Sequence, residues 1–190
     1  MKPVWLLCLI TLLPLHAQTG QKLVTAARRQ IGVTTAYDPA YITLAYPGGD
    51  VPADRGVCTD VVIRAMREGL SKDLQQLLHE DMRGNFAAYP KNWGLARPDS
   101  NIDHRRVPNL QTWFKRQGYP LPAGPSNDPA AFLPGDLVTC TVPPHLPHIM
   151  LVSDRKSSRG VPLVIHNIGA GTREEDRLFE FPLTGHFRVK

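Results

Sequence analysis

The sequence changes character about two thirds of the way along, and this change limits the folds open to the chain. Before residue 120, apolar residues recur at helical spacing in several segments. After residue 135, short aliphatic runs alternate with turn residues. Helices first and strands afterwards predict an α+β domain with a mainly antiparallel sheet. The 18 prolines and 15 glycines indicate many turns between short elements.

The boundaries of the elements follow from periodicity and from start and stop residues. Predicted helices cover residues 22–31, a second segment from residue 57 to an end at Gly69, and a third from Pro108 to an end before Gly118. A shorter helical piece is expected at 74–79, and residues 32–56 are interpreted as an extended loop. Predicted strands cover residues 137–140, 149–152, 163–165 and 187–189. The connections permit a meander, but the strand order stays open.

The first 17 residues have the pattern of a secretory signal peptide. Lys2 precedes an apolar run over residues 4–15, and Ala17 offers a small residue at the exit. The run is too short for a membrane-spanning helix, which needs about 20 residues. We therefore expect an exported protein, periplasmic or secreted, whose residues 18–190 form one domain.

The net charge of +5 and the isoelectric point near 9.3 favour an anionic neighbourhood, such as a cell-wall polymer or a membrane surface. Nucleic acid also fits this charge, but the sequence has no basic run with interleaved aromatic residues, and export argues against it. No second long apolar stretch follows the leader, so no membrane anchor is expected.

Two cysteines follow the predicted leader, and they leave two interpretations open. Cys58 lies where a loop leads directly into a helix, so the helix dipole and free N–H groups favour the nucleophilic thiolate. Asp60 in the same turn works partly against this effect. Alternatively, Cys58 and Cys140 form a disulfide in an oxidising compartment.

Two histidines favour the nucleophile. His148 begins an apolar strand, where it can face a thiol across a cleft, and His166 ends another apolar run, where it can orient the His148 ring. A nucleophile, a base and an orienting group are the parts that thiol catalysis needs. Asn167 is the competing orienting residue, but neighbouring strand residues point to opposite faces. Alternatively, His166 is a residue at the end of a strand that forms a hydrogen bond with the backbone.

The segment before the third helix offers binding groups. Asp103, His104, Arg105 and Arg106 are consecutive, and an arginine there could clamp a carboxylate. The alternative is an ion pair of Asp103 with an arginine on a solvated loop. The spacing of Cys140, His145, His148 and His166 fits no closed structural zinc pattern, so we expect neither a metal nor a cofactor.

Several segments resemble the NlpC/P60 cysteine peptidases. Gly56-Val57-Cys58-Thr59-Asp60 resembles the nucleophile segment, and Pro134-Gly135-Asp136-Leu137-Val138 is similar to the strand opener. His148-Ile149-Met150-Leu151-Val152 resembles the catalytic-histidine strand, and Val164-Ile165-His166 the third polar position. Val57 and Thr59 replace the usual Asp and Ser, and residues 71–108 are an insertion that the shorter pattern lacks.

Over nearly the whole mature chain the sequence resembles domain-of-unknown-function family 1287, exported bacterial proteins placed near that superfamily. The segments that carry this resemblance are Tyr46-Pro47-Gly48-Gly49-Asp50, His79-Glu80-Asp81-Met82-Arg83, Asn101-Ile102-Asp103-His104-Arg105-Arg106-Val107-Pro108-Asn109-Leu110 and His166-Asn167-Ile168-Gly169-Ala170-Gly171.

These resemblances imply a papain-like fold, a Cys58–His148–His166 constellation and cleavage of amide bonds in peptidoglycan peptides, with Tyr46 as the nearest match to a tyrosine that stabilises the oxyanion. Two alternatives remain open. One is a cell-wall binding or scaffold protein that keeps the fold without turnover. The other is an acyltransferase that resolves the same acyl-enzyme with an amine.

Overall fold

The structure is a computed structural model that describes residues 15–121 and 127–190, with side chains from Ala17 onward. Four helices are α1 (Leu15–Arg28), α2 (Cys58–Leu70), α3 (Leu74–Asn85) and α4 (Val107–Arg116). A two-stranded parallel ribbon pairs β1 (Ala36–Tyr37) with β2 (Arg55–Gly56). The remaining strands are β3 (Leu137–Val142), β4 (Leu146–Lys156), β5 (Pro162–Asn167), β6 (Thr172–Glu175) and β7 (Leu183–Phe187).

The main sheet has five antiparallel strands in the order β6-β5-β4-β3-β7. Strands β3 to β6 form a meander, and β7 returns to pair with β3 on the other side. This arrangement confirms the predicted α+β class and the antiparallel sheet. The predicted signal peptide falls mostly on residues 1–14, outside the described residues, and positions 15–17 stand in the first turn of α1.

The sheet separates two hydrophobic clusters. The larger one joins α1, α2 and α4 to one sheet face and includes Val62, Phe114 and Ile149. The smaller one covers the other face and includes Met150 and Val164. Alternation along β4 therefore points Ile149 and Leu151 toward the helices, and His148, Met150 and Val152 away from them.

Some predicted boundaries were wrong, and the reasons are physical. Gly69 does not end α2; Ser71 does, with φ of 55°. Gly69 instead permits close packing of two helices, because a Cβ atom there would lie 2.9 Å from the Lys22 carbonyl oxygen. The last strand ends at Phe187, two residues before the predicted end, and α3 continues to Asn85. Strand β6, Thr172–Glu175, was missed because its residues are mostly charged.

No helix in the described part of the chain is both long and apolar enough to cross a membrane.

Candidate active site around Cys58

A buried ion pair fixes the turn that presents Cys58 as the first residue of α2. The Val57 backbone N–H donates to Asp60 Oδ2 at 2.7 Å. The Arg105 guanidinium forms a two-pronged contact with the same carboxylate, Nε to Oδ1 and Nη2 to Oδ2, each at 3.0 Å. Both side chains are almost completely buried. The carboxylate is therefore shared between the helix start and the arginine.

Arg105 also ties the preceding loop to this turn. Its remaining N–H groups donate to the carbonyl oxygens of Ala40 at 3.0 Å and Asp38 at 3.1 Å. The Arg105 carbonyl oxygen accepts from the Thr59 hydroxyl at 3.1 Å. With its donors used in this way, Arg105 is not a free clamp for a carboxylate ligand, and that expectation was wrong for this residue.

Asn167 holds the same turn from the sheet. Its side-chain amide donates to the carbonyl oxygens of Gly56 at 2.9 Å and Ala36 at 3.1 Å. Asn167 is thus bonded to the β1–β2 ribbon just before Cys58 and does not orient a histidine. This agrees with the expectation that His166 and Asn167 point to opposite faces.

Cys58 belongs to the same hydrophobic cluster as Ile149 of β4. The Ile149 backbone N–H acts on the thiol and lowers its pKa. The thiol therefore lies beside β4, near the residue that follows His148 in the chain.

A row of three side chains runs along the other face of β4, β5 and β6. His148 Nε2 lies 2.8 Å from His166 Nδ1, and His166 Nε2 lies 3.2 Å from Glu175 Oε2. The Arg177 guanidinium forms an ion pair with Glu175, with Nε 3.2 Å from Oε2. We call His148, His166 and Glu175 the histidine row. His148 and His166 were predicted as neighbours; Glu175 was not, because it belongs to the strand that the sequence pattern missed.

The carboxylate at one end of the row fixes the proton positions along it. An ionised Glu175 only accepts, so His166 Nε2 carries a proton and His166 Nδ1 presents a lone pair. His148 Nε2 must then donate, which leaves the lone pair of the His148 ring on Nδ1. Among the described residues, no side chain or backbone group bonds that nitrogen. The row ends in an unused base.

Burial keeps these groups neutral. It lowers the pKa of His148 to about 3, with the His166 charge as the next cause, and lowers the pKa of His166 to about 4. Burial also raises the pKa of the Cys58 thiol to about 11; Asp60 raises it further, while the Ile149 N–H acts in the opposite direction. The expected thiolate at the helix start is thus not the resting form, because burial outweighs the helix dipole.

A cleft of about 450 Å³ opens beside Cys58. Its walls include Tyr37, Trp93, Arg106, His145 and Pro147. The Arg106 guanidinium lies over the Trp93 ring, 4.0 Å from its centroid, and pairs with Asp103 at 3.0 Å. The cleft therefore combines aromatic surface with a partly neutralised cation.

The tyrosine at the cleft is Tyr37, not Tyr46. Burial raises the pKa of Tyr37 to about 12, and the next causes are Cys58 and Asp60. Tyr46 instead packs edge-on against His79, with ring centroids 5.1 Å apart, and does not line the cleft. No local pattern pointed to Tyr37, since it joins the site through pairing of β1 with a strand 19 residues away.

The other predicted binding residues are mostly internal. Asp103 is buried and accepts from the Asp99 backbone N–H and from Arg106, so it forms the alternative ion pair, but in the interior and not on a solvated loop. His104 is buried and its pKa is lowered to about 4, chiefly by burial. Neither lines the cleft; of the four consecutive candidates, Arg105 and Arg106 do.

Cys58 and Cys140 are both free thiols in the structure. Cys140 lies on β3 directly across from His148, and burial raises its pKa to about 12. Over residues 15–121 and 127–190, no group of three or more His, Cys, Asp or Glu side chains is placed to hold a metal ion.

Comparisons with known proteins identify the family of this chain. The chain is 54% identical over 178 residues to the uncharacterized protein YijF of Escherichia coli strain K12, a match that covers 94% of this chain and 85% of the relative. No solved structure matches. The family model described as domain of unknown function (DUF1287) matches residues 24–189. The chain therefore belongs to domain-of-unknown-function family 1287.

Proposed function

We propose that this protein is an exported cysteine hydrolase with a papain-like fold of the NlpC/P60 type, which cleaves amide bonds in peptidoglycan peptides. The observation that carries the proposal is the histidine row: His148 has an unbonded ring nitrogen and precedes Ile149, whose backbone N–H acts on the pKa of the Cys58 thiol. Thiol, base and orienting groups are the minimum for nucleophilic thiol catalysis.

The resting site holds a neutral thiol and a neutral imidazole, so proton transfer must accompany attack. Because His148 leaves β4 on the face opposite the helices, the proposal requires its ring to turn toward the start of α2, where Nδ1 takes the Cys58 proton while the sulfur forms a bond to the amide carbonyl carbon. The protonated His148 then gives that proton to the leaving nitrogen as the C–N bond breaks, and the acyl group stays on sulfur. Water, deprotonated by His148, then attacks the thioester carbon; the C–S bond breaks, the acid leaves, and His148 returns the proton to the Cys58 sulfur. No cofactor takes part.

The charge on the carbonyl oxygen needs donors during attack. The Cys58 backbone N–H is one, because the first N–H groups of a helix lack intrahelical partners. The Tyr37 hydroxyl is the other: it lines the same cleft, and its high pKa keeps the proton on the oxygen. Tyr37 replaces Tyr46 in the role that the family resemblance implied.

The choice of substrate rests on the predicted leader, the net charge and the lining of the cleft. The predicted signal peptide sends the chain to the compartment of the cell wall. The net charge of +5 favours the anionic polymer there. The aromatic cleft with Arg106 suits a peptide that carries carboxylates.

The test is a digestion of purified cell-wall sacculi, with released fragments identified by mass spectrometry. Wild type and Cys140→Ala should release the same new fragments, whereas Cys58→Ala should release none. The Cys140 variant is a matched control because both thiols are buried and free. Identical fragment profiles with wild type, Cys58→Ala and no protein at all would contradict the proposal.

One observation favours a second function, a cell-wall binding protein without turnover. The Cys58 side chain is 4% exposed, and its pKa is raised to about 11, which suits an inert thiol. Cosedimentation with sacculi separates the two functions. If wild type and Cys58→Ala bind equally and neither releases fragments, the protein is a binder.

A further inference from the structure

A second cavity of about 700 Å³ shares no lining residue with the Cys58 cleft. The cavity is bordered by α3 and by residues 95–101. Trp93 lines the Cys58 cleft, whereas Leu95 lines the second cavity. We call the second space the arginine cavity, because Arg83 and Arg97 both line it. Its volume suits an organic ligand, since small-molecule sites occupy about 300–1,000 Å³.

The two arginines of the arginine cavity take no part in the ion pairs that stabilise the described part of the fold. Within the described ranges, neither Arg83 nor Arg97 makes an ion pair or a side-chain hydrogen bond. The arginines elsewhere in this half of the chain behave differently: Arg64, Arg67 and Arg105 are all paired with aspartates. Arg83 and Arg97 thus keep their full donor capacity toward the cavity.

A third donor site borders the cavity. His79 lines it from α3, and its Nδ1 atom is buried without a hydrogen-bond partner in the part of the chain that the structure describes. A buried polar atom without a partner costs free energy, which a bound ligand would recover. The lining therefore combines two exposed guanidinium groups, neither paired with a described protein group, with one buried imidazole nitrogen that lacks a partner.

One acidic group also lines the arginine cavity. The Asp99 carboxylate accepts from the Tyr41 hydroxyl at 3.0 Å and from the Asn101 backbone N–H at 2.9 Å, and these neutral donors leave its negative charge in place. Asp103, which does not line the cavity, is paired with Arg106. With Arg83, Arg97 and Asp99 as its charged groups, the lining keeps an excess of positive charge.

We propose that the arginine cavity binds an organic phosphate monoester. Two unpaired guanidinium groups match a dianion with three acceptor oxygens better than they match a single carboxylate. Leu95, Pro98 and the Tyr41 ring supply an apolar wall for the organic part of the ligand. The site is separate from Cys58 and does not depend on the proposed hydrolysis.

The test is a calorimetric titration of the Cys58→Ala protein with phenyl phosphate, which removes turnover from the readout. Phenyl phosphate should bind one site, and benzoate should bind at least tenfold more weakly. Arg83→Gln and Arg97→Gln should each weaken phenyl phosphate about tenfold, the loss of roughly one charge-assisted contact. Arg29→Gln, at an exposed arginine just after the end of α1, is the charge-matched control and should stay within twofold.

Three results would overturn the assignment: no binding of phenyl phosphate, equal affinity for benzoate, or equal weakening by Arg29→Gln. Failure of sacculus digestion would leave these results unaffected, because they measure binding alone. Conversely, a failure to bind phenyl phosphate would leave the proposed role of Cys58 as a nucleophile unaffected.

Discussion

Two polar networks of the candidate site differ in how they end. The Asp60 network, built from Asp60 and Arg105, is closed: each of its contacts joins one protein group to another. The histidine row is open, because it ends at His148 Nδ1, which the described protein atoms leave unbonded. Asp60, Arg105, His148 and His166 are all buried, whereas Glu175 is partly exposed. The unused atom, not the burial, distinguishes a site prepared for chemistry from one that only holds the fold.

The largest expected effect is on stability, from opening the closed network. Arg105→Met leaves the buried Asp60 carboxylate without its partner and should lower the free energy of unfolding by about 3–5 kcal/mol. Urea denaturation measures the change. Arg159→Met, which removes an exposed pair with Asp176, is the control and should cost less than about 1 kcal/mol. Equal costs for the two variants would show that the Asp60 network does not hold the turn.

The next effect concerns Tyr37, which lies beside both Cys58 and Asp60. Tyr37→Phe removes one oxyanion donor and should lower kcat on sacculus fragments about 100-fold, with KM little changed. Tyr46→Phe is the control and should leave kcat unchanged, since that ring lies against His79. If Tyr46→Phe lowered kcat and Tyr37→Phe did not, the assignment from the cleft would be wrong.

A smaller effect is expected at the outer end of the histidine row. Glu175→Gln replaces an acceptor by a group that also donates, so the tautomer that puts the lone pair on His148 Nδ1 is no longer enforced. We expect kcat to fall about tenfold, within the range of general-base effects, and Glu175→Asp to restore part of it. Nitrogen chemical shifts of the two imidazoles report the tautomer directly. Unchanged shifts in Glu175→Gln would contradict the proposed proton positions.

The pH dependence of the free energy of unfolding should report on the two histidines of the histidine row. The pKa values of His148 and His166 are lowered from 6.5 to about 3 and about 4, so between these limits the unfolded chain binds more protons than the folded one. The free energy of unfolding should therefore fall as pH drops below about 6.5, by roughly 1.4 kcal/mol per pH unit for each histidine. His148→Asn should have a shallower slope in urea titrations from pH 7 to 4.5. A slope identical to that of wild type would argue against a neutral, buried His148.

Much of this architecture could be predicted from local signals. Alternation and turn residues placed the strands that carry His148 and His166, and the loop-to-helix junction placed Cys58 at the first position of α2. These features depend on neighbours in sequence, which is why periodicity detects them.

The parts that escaped prediction depend on distant pairing. Tyr37 reaches the cleft because β1 pairs with β2, and Glu175 reaches His166 because β6 pairs with β5 in register His166–Arg173. Arg105 looked like a free cation in the sequence, but its partner Asp60 lies 45 positions away. Charge alone cannot tell a paired arginine from an unpaired one such as Arg83.

The most direct test of the account is the rate at which iodoacetamide alkylates Cys58, followed by peptide mass mapping under non-reducing conditions. We predict that Cys58 reacts faster than Cys140 in the same molecule, and that His148→Asn slows Cys58 at least tenfold while leaving Cys140 unchanged. That result would show a base acting on one thiol only. If Cys58 stays unmodified, or reacts at the same rate with and without His148, the open end of the histidine row does not serve the thiol and the hydrolase proposal fails.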